Sequence, residues 1–427
     1  MPAIQDHPLR YKLANELHAR PFPSMSAPCT AAYLAIKKNT MAANRDRSLD
    51  LAHLTALLDR YGVAHPQPGA THYYGKIGRH WLKWEQHTEF VTYTVFSDGL
   101  SDRVFDPSAF EPFPVEWLAE APGERITSIL LHIDKRPADE TIDARLNEWF
   151  VPESLAVSAV LDDGAVIAGD FRIDTNGHLR FAVFCGAHIG ERRIGRIVQR
   201  LCEIETYKAM SMLGFARARH LGPELNALDT RLTELIGAMS DGSAPAEATL
   251  EQLLAITAEL ETLAAQSSFR FGATGAYRAI VDERIEALRE ERWQSRQSFA
   301  EFMMRRYEPA MRTVTSAQGR IEAMSGRGVR AADLLRTRVD VERSAQNQAL
   351  LESMDRRSDL QLRLQRTVEG LSVVAISYYA VSLAGYMLYP LADALEIKRG
   401  WLLAGATPVV VIGVFLMIRS LRRSVER

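Results

Sequence analysis

Two uncharged runs close to the C-terminal end constrain this chain more than anything else in it. Residues 370–392 are 23 positions without a charge, bounded by Glu369 and Asp393, and residues 400–418 are 19 more, bounded by Arg399 and Arg419. At about 1.5 Å per helical residue they are roughly 34 and 28 Å long, against a hydrocarbon core of about 30 Å. The expectation is a transmembrane helical hairpin joined by the seven-residue loop 393–399. The alternative is a buried hairpin in a soluble protein, and uncharged runs of this length are rare in soluble cores.

Orientation follows from Lys and Arg beside the runs. Arg356, Arg357, Arg363 and Arg366 precede the first, Arg419, Arg422, Arg423 and Arg427 follow the second, and the loop holds only Lys398 and Arg399. The positive-inside rule then puts both termini in the cytoplasm and the loop outside. The first twenty residues contain no apolar core of a secretory signal. The lipid bilayer is thus an expected partner.

Before residue 370 the composition is that of a water-facing body. It belongs to a chain of 427 residues with 51 Lys and Arg against 53 Asp and Glu, a balance that leaves no global footprint for nucleic acid. Cys29, Cys185 and Cys202 form neither a disulfide framework nor a CxxC pair.

In chain order, Leu9, Leu13 and Leu17 mark a short amphipathic helix ending before Pro21, with Asn15, Glu16, His18 and Arg20 crowding its polar side. Glu16 and Arg20 are four apart and can pair, whereas Glu16 and His18 point in different directions and suit a polar network better than a metal pair. A strand is expected over 28–38, a helix over 48–61, and a hairpin of strands 79–86 and 89–97. His80, Trp81, Trp84 and His87 crowd that hairpin, but on one strand His80 and His87 would be about 23 Å apart. A short helix over 112–120, a strand over 125–133 and a helix over 141–150 follow. Three strands, 155–161, 165–173 and 178–185, are joined by Asp162-Asp163-Gly164 and Asn176-Gly177. Residues 1–188 therefore read as an α+β domain, mainly an antiparallel sheet with helices.

The glycines of CGAHIGERRIGR, Gly186, Gly190 and Gly195, invite a phosphate-loop reading, but the spacing is neither GxxxxGK[ST] nor GxGxxG. Arg192, Arg193, Arg196 and Arg200 at this helix start are candidate anion or ligand contacts. Residues 189–329 read as a helical region broken at Gly222-Pro223, by the linker SDGSAPAE, at FRFGATGAY and at 319–328, with a long charged helix over 276–316. Residues 330–369 are a stalk helix that runs into the first span. Unbroken from 330 to 389 it would have 60 residues, about 90 Å. Leu350, Met354, Leu364, Val368 and Leu371 follow a 4–3 spacing with Arg357 and Gln361 between them, the partial heptad of a helix packed in a homo-oligomer or against the body. A basic tail, 419–427, ends the chain.

The phrases HPLRYKLANELHARPFP, CGAHIGERRIGRIVQRLCEIETYKAM and FRFGATGAYRAIVDERIEALREERWQSRQSFAEFMMRRYEPAMRT resemble a bacterial family of uncharacterised membrane-anchored proteins, a likeness that covers most of the chain and supplies no activity. The resemblance implies the bacterial inner membrane. The order of α/β domain, helical region, stalk, two spans and basic tail also resembles the CorA-type divalent-cation channels, pentamers whose first span ends in a Gly-Met-Asn signature. Here Gly385-Tyr386-Met387 stands near that place, and no asparagine follows Asn347. The likeness implies pore or filter candidates Gly385, Tyr386 and Met387, with Asp393 and Glu396 as an acidic ring drawing cations to the outer loop. Small residues on the first run, among them Ser372, Ala375 and Ser377, suit either a pore lining or plain helix packing.

Two functions are expected from this: an oligomeric cation channel, or a membrane-anchored binding or scaffold protein that transports nothing. A nucleophile elbow, HExxH, P-loop or kinase set is missing from the sequence, so no catalytic residue, metal or cofactor is assigned and an enzyme is not expected.

Overall fold

The structure is a computed structural model that describes residues 4–11, 22–40, 42–241, 243–394 and 398–425, with side chains for all of these except 389–394, 399 and 421–425. The chain forms two compact units: residues 1–241 with 251–331, and residues 242–250 with 332–427.

The first unit is built on one nine-stranded sheet in the order β2-β3-β4-β1-β5-β8-β7-β6-β9. Its strands are β1 Cys29–Lys37, β2 His72–Ile77, β3 His80–Gln86, β4 Phe90–Asp98, β5 Glu124–Lys135, β6 Ala156–Val160, β7 Ala165–Gly169, β8 Leu179–Cys185 and β9 Glu291–Arg292. Neighbours are antiparallel except β5 and β8, which run parallel, Leu131 beside Phe181. That parallel step is reached through helix α3, Asp139–Trp149, and the β6–β7 hairpin.

Both faces of the sheet are covered, so the central strands are buried along nearly their whole length. One face packs against α1, Arg47–Arg60, and α2, Val115–Ala119, in a core of Leu34, Leu54, Leu58, Trp84, Tyr93 and Trp117. His53 sits inside this core without a chemical role. Its Nε2 donates to the Trp117 carbonyl at 3.0 Å and its Nδ1 accepts from Tyr93 Oη at 2.8 Å. Farther along, Ile142 and Leu146 of α3 cover Val157, Val166 and Phe184. The opposite face carries α4, Glu191–Asp241, whose Ile194, Ile197, Val198 and Leu201 are buried and whose Thr206 hydroxyl meets Tyr33 Oη at 2.7 Å.

Several boundaries differ from those the sequence suggests, for physical reasons. β2 and the two-residue β9 are absent from the sequence reading; β9 returns to the sheet edge beside Ser158 and Ala159 from beyond helix α5. β7 stops at Gly169, not at residue 173. The buried Asp170 carboxylate accepts from Arg180 Nη2 at 2.9 Å and from two backbone N–H groups, and Phe171 takes φ +53°. Gly222-Pro223 does not end a helix, because α4 runs through it with Leu221, Leu225, Leu228 and Leu232 buried on one side. Burying that stripe offsets the roughly 3 kcal/mol that an interior proline costs. FRFGATGAY lies inside α5, Ala246–Leu288, and residues 319–328 lie inside α7, Glu308–Ala394. The helix expected over 276–316 is instead three pieces: the end of α5, α6 Phe299–Arg306 with a Ser298–Glu301 capping box, and the start of α7. Arg289 and Gln294, at φ +47° and +49°, turn the chain between them.

Glycines are compatible with these helices because some are contact points. A Cβ on Gly214 of α4 would collide with Thr274 of α5, and one on Gly328 of α7 would lie 2.8 Å from Thr257 Oγ1. Arg320 reaches Asp229 at 3.0 Å, joining α7 to α4 within the same unit.

In the second unit, Ala246, Thr249, Leu335 and Val339 are buried and Arg343 pairs with Glu247. The unit continues along α7 and ends in α8, Arg399–Val425. Among the described residues two helices are long and apolar enough to cross a membrane, with mean hydropathies of 1.6 on α7 and 2.3 on α8.

The close approach at Gly214 carries a prediction of sign. Gly→Ala inside a helix ordinarily stabilises by about 0.5–1 kcal/mol. Gly237→Ala, at a position with open space around it, follows that rule. Gly214→Ala reverses it and lowers stability by about 1–3 kcal/mol through overpacking, as read from denaturant midpoints.

Candidate functional site

Sheet register assembles a polar row on one face. Thr30 of β1 lies opposite Ser97 of β4 on one side and His132 of β5 on the other. His80, at the start of β3, extends the row through a 2.6 Å contact between its Nδ1 and Ser97 Oγ. The row shares a face with Leu34, Tyr93 and Trp84, so it is the place where the apolar core gives way to polar groups. A cleft of about 450 Å³ opens over it, a volume typical of small-molecule sites.

The loop after β4 makes the far wall. Asp106 accepts from Ser101 Oγ at 2.7 Å and from the Ser108 N–H at 3.0 Å, capping the 3₁₀ turn Pro107–Phe110. These hydrogen bonds, with Arg103 adding to them, hold its carboxyl below the ordinary range. Phe105 stands in the left-handed region at φ +52°, a conformation that costs a bulky side chain free energy. Packing keeps it there: its ring lies edge-on to His132, Trp149 and Phe150 at 5.5–6.0 Å. Arg79, Asp98, Arg103 and Glu111 form an exposed rim carrying both signs of charge.

The polarity of the histidines decides what this cleft can do. Arg79 Nε donates to His80 Nε2 at 3.2 Å. An arginine always donates, so the proton of a neutral His80 sits on Nδ1 and is donated to Ser97. That is the reverse of a histidine that withdraws a proton from a serine nucleophile. Burial, with Arg79 adding to it and Asp98 and Glu111 opposing it, keeps the His80 pKa low. Burial likewise lowers the pKa of His132, opposed by Asp134 and assisted by Arg145. The Cys29 thiol, beside Thr30, is pushed up to about 12 by burial, with Cys185 and Asp98 adding to the shift. The site therefore offers hydrogen-bond donors and fixed charges to a ligand. Among the described residues no three His, Cys, Asp or Glu side chains gather as a metal site.

The sequence candidates fall elsewhere. Asn15, Glu16, His18, Arg20 and Glu396 lie outside the described residues, and Asp393 is described only as backbone in the last turn of α7. At the start of α4, the Glu191 carboxylate accepts from Ser24 Oγ at 2.9 Å and Ser26 Oγ at 2.6 Å. Arg192 and Arg193 are exposed beside it and Arg196 is half-buried. Arg200 donates to the Ala287 carbonyl at 2.7 Å, and Glu203 pairs with Arg284. Gly385 packs against α8, where a Cβ would lie 2.7 Å from Leu403 Cδ1, while Tyr386 and Met387 are exposed. Of the histidine and tryptophan cluster on the β3 hairpin, only His80 reaches the cleft. Trp84 is core, Trp81 stacks on Tyr74, and the His87 ring stacks on Phe90. The loop 98–108 was missed because Asp-Pro-Ser reads as an ordinary turn cap. Only the register puts it over His132.

The buried histidine gives the cleft a pH signature. His132 folds neutral with a lowered pKa, so the unfolded chain binds more protons as pH falls and stability rises with pH. Its contribution is complete above about pH 6.5 and is lost as pH drops from there toward the folded value. His132→Gln is expected to flatten the slope of stability against pH below 6.5, measured by denaturant unfolding across pH.

No curated protein matches this sequence at a significant level. Residues 5–425 match the family described as protein of unknown function, DUF3422, and the chain belongs to that family.

Proposed function

We propose that this is a membrane-anchored binding protein that takes up a small zwitterionic molecule, of the amino-acid or short-peptide kind, in the cleft over the His80–Ser97–Thr30–His132 row. The observation that carries the reading is a cleft of about 450 Å³ whose rim presents Arg79 and Arg103 together with Asp98 and Glu111. Both signs of charge at one mouth suit a ligand that carries both. The proton placement on His80 favours binding over catalysis. The two apolar helices are assigned as two spans of a bacterial inner membrane, with both termini in the cytoplasm on the distribution of Lys and Arg.

A CorA-like, cation-conducting oligomer is the second reading, favoured by the continuity of α7 into the first apolar run. Gly385 counts against it, since its open side is occupied by Leu403 of the same chain. Flux in proteoliposomes that falls when Asp393 and Glu396 are neutralised would reverse the preference.

Binding is tested by calorimetry of the full chain in mild detergent against a panel of amino acids and dipeptides. At least one is expected to bind, with Arg79→Ala and Asp98→Asn each weakening it tenfold or more, about 1.4 kcal/mol. Silence across the whole panel would sink the reading.

A further inference from the structure

The second unit carries an apolar face that nothing among the described residues covers. From Asp340 to Val368 every residue of α7 is exposed. Leu350, Leu351, Met354, Leu360, Leu364 and Val368 are each 53–66% exposed, far more than apolar side chains on a finished surface helix. Below them a groove of about 560 Å³ lies open between Leu364, Val368, Ser372 and Ile418 of α8.

The charges identify what covers this face. With Met354 and Val368 at heptad position a, and Leu350, Leu364 and Leu371 at d, Leu351 falls at e and Leu360 at g. Between Ser344 and Ser372 eight side chains are charged. Glu352, Asp359 and Arg366 fall at f, Asp355 and Glu369 at b, and Arg356 and Arg363 at c. Arg357, at d, is the one exception. A different partner chain could answer charge with opposite charge, so it would not require a neutral seam. A second copy lying parallel and in register sets a against a and d against d, so a charge at either position meets its own kind. Self-association asks for a and d to be free of charge, and over 346–371 Arg357 is the one charge at either position. Asn347 and Gln361, both at a, are amides that can donate to and accept from their own copies.

We infer that residues 346–371 form a parallel, in-register self-association seam with copies of this chain. The uncharged face extends to e and g, where Leu351 and Leu360 are exposed, wide enough for each helix to take two neighbours, and the bundle we infer has at least three members. The parallel direction rests on the membrane-anchored reading: copies held in one bilayer by the span that directly follows have no other alignment. Arg357 is a built-in weakening layer. At d it faces its own copies across the seam, charge against like charge.

Single cysteines test this in the full chain, because Cys29, Cys185 and Cys202 are buried. Leu364→Cys, at d, is expected to give a covalent dimer on mild oxidation in native membranes at least fivefold more readily than Arg363→Cys, at c. The detergent-solubilised particle should hold three or more 47.8 kDa chains, and Arg357→Leu should make it withstand higher detergent or denaturant. Equal cross-linking at both positions, or a particle of one chain, overturns the seam. Recovery of the protein in the soluble fraction would instead remove the anchor, while the contrast between the two cysteines would still report on the seam.

Discussion

A sheet buried on both faces is the constraint on which the first unit depends. β1, β4 and β5 are buried except toward the ends of β4 and β5 and at the half-buried Thr30 of β1, so each face needs its own helical cover. Buried apolar area contributes about 25 cal/mol per Å², which makes leaving either face open costly. The cover on one side comes from short helices inserted between strands, α1, α2 and α3. On the other it comes from α4, and the stripe of Ile194, Ile197, Val198 and Leu201 marks the residues that do it.

Covering a sheet with a long charged helix brings ionic groups inside, and they survive only where paired. Glu89, 1% exposed, receives Arg270 and the Tyr277 hydroxyl from α5, the latter at 2.8 Å. Arg45 lies against Asp50 at 2.8 Å and donates to the carbonyls of His87, Thr88 and Phe90 at the β3–β4 turn. Lys83 bridges Glu85 at 3.0 Å and Gln199 of α4 at 2.7 Å. These contacts set which stretch of each helix meets which strand, a choice that apolar burial alone leaves loose.

The cleft follows from the same layering. Where α1 and α2 end, the sheet face they cover continues as Thr30, Ser97 and His132, and the loop over it is anchored by Asp106 and the strained Phe105. A preorganised wall held by packing and a rim of fixed charges is the feature on which the proposed binding role rests. In the second unit the opposite holds: among the described residues the helix face from 346 to 371 finds no cover, and Arg357 is the one charge at its a, d, e and g positions.

The α+β character of the first 188 residues was legible because strands bounded by turn residues and alternating apolar positions leave a period-two trace, and the two apolar runs because charge is excluded over their whole length. Helix ends around Gly222-Pro223, FRFGATGAY and 319–328 were not, since local propensity says break there while Gly214 and Gly328 show that neighbouring helices approach too closely for the chain to unwind. The cleft was legible only in fragments, through His80. Thr30, Ser97 and His132 are separated by 35 to 102 residues in the chain, and only strand register makes them neighbours. The sequence by itself determined most strands of the sheet, the apolar runs and the charge placement along the stalk, all of which are local or periodic. Only the tertiary structure decided the site, because cross-strand pairing is a long-range choice that no local pattern records.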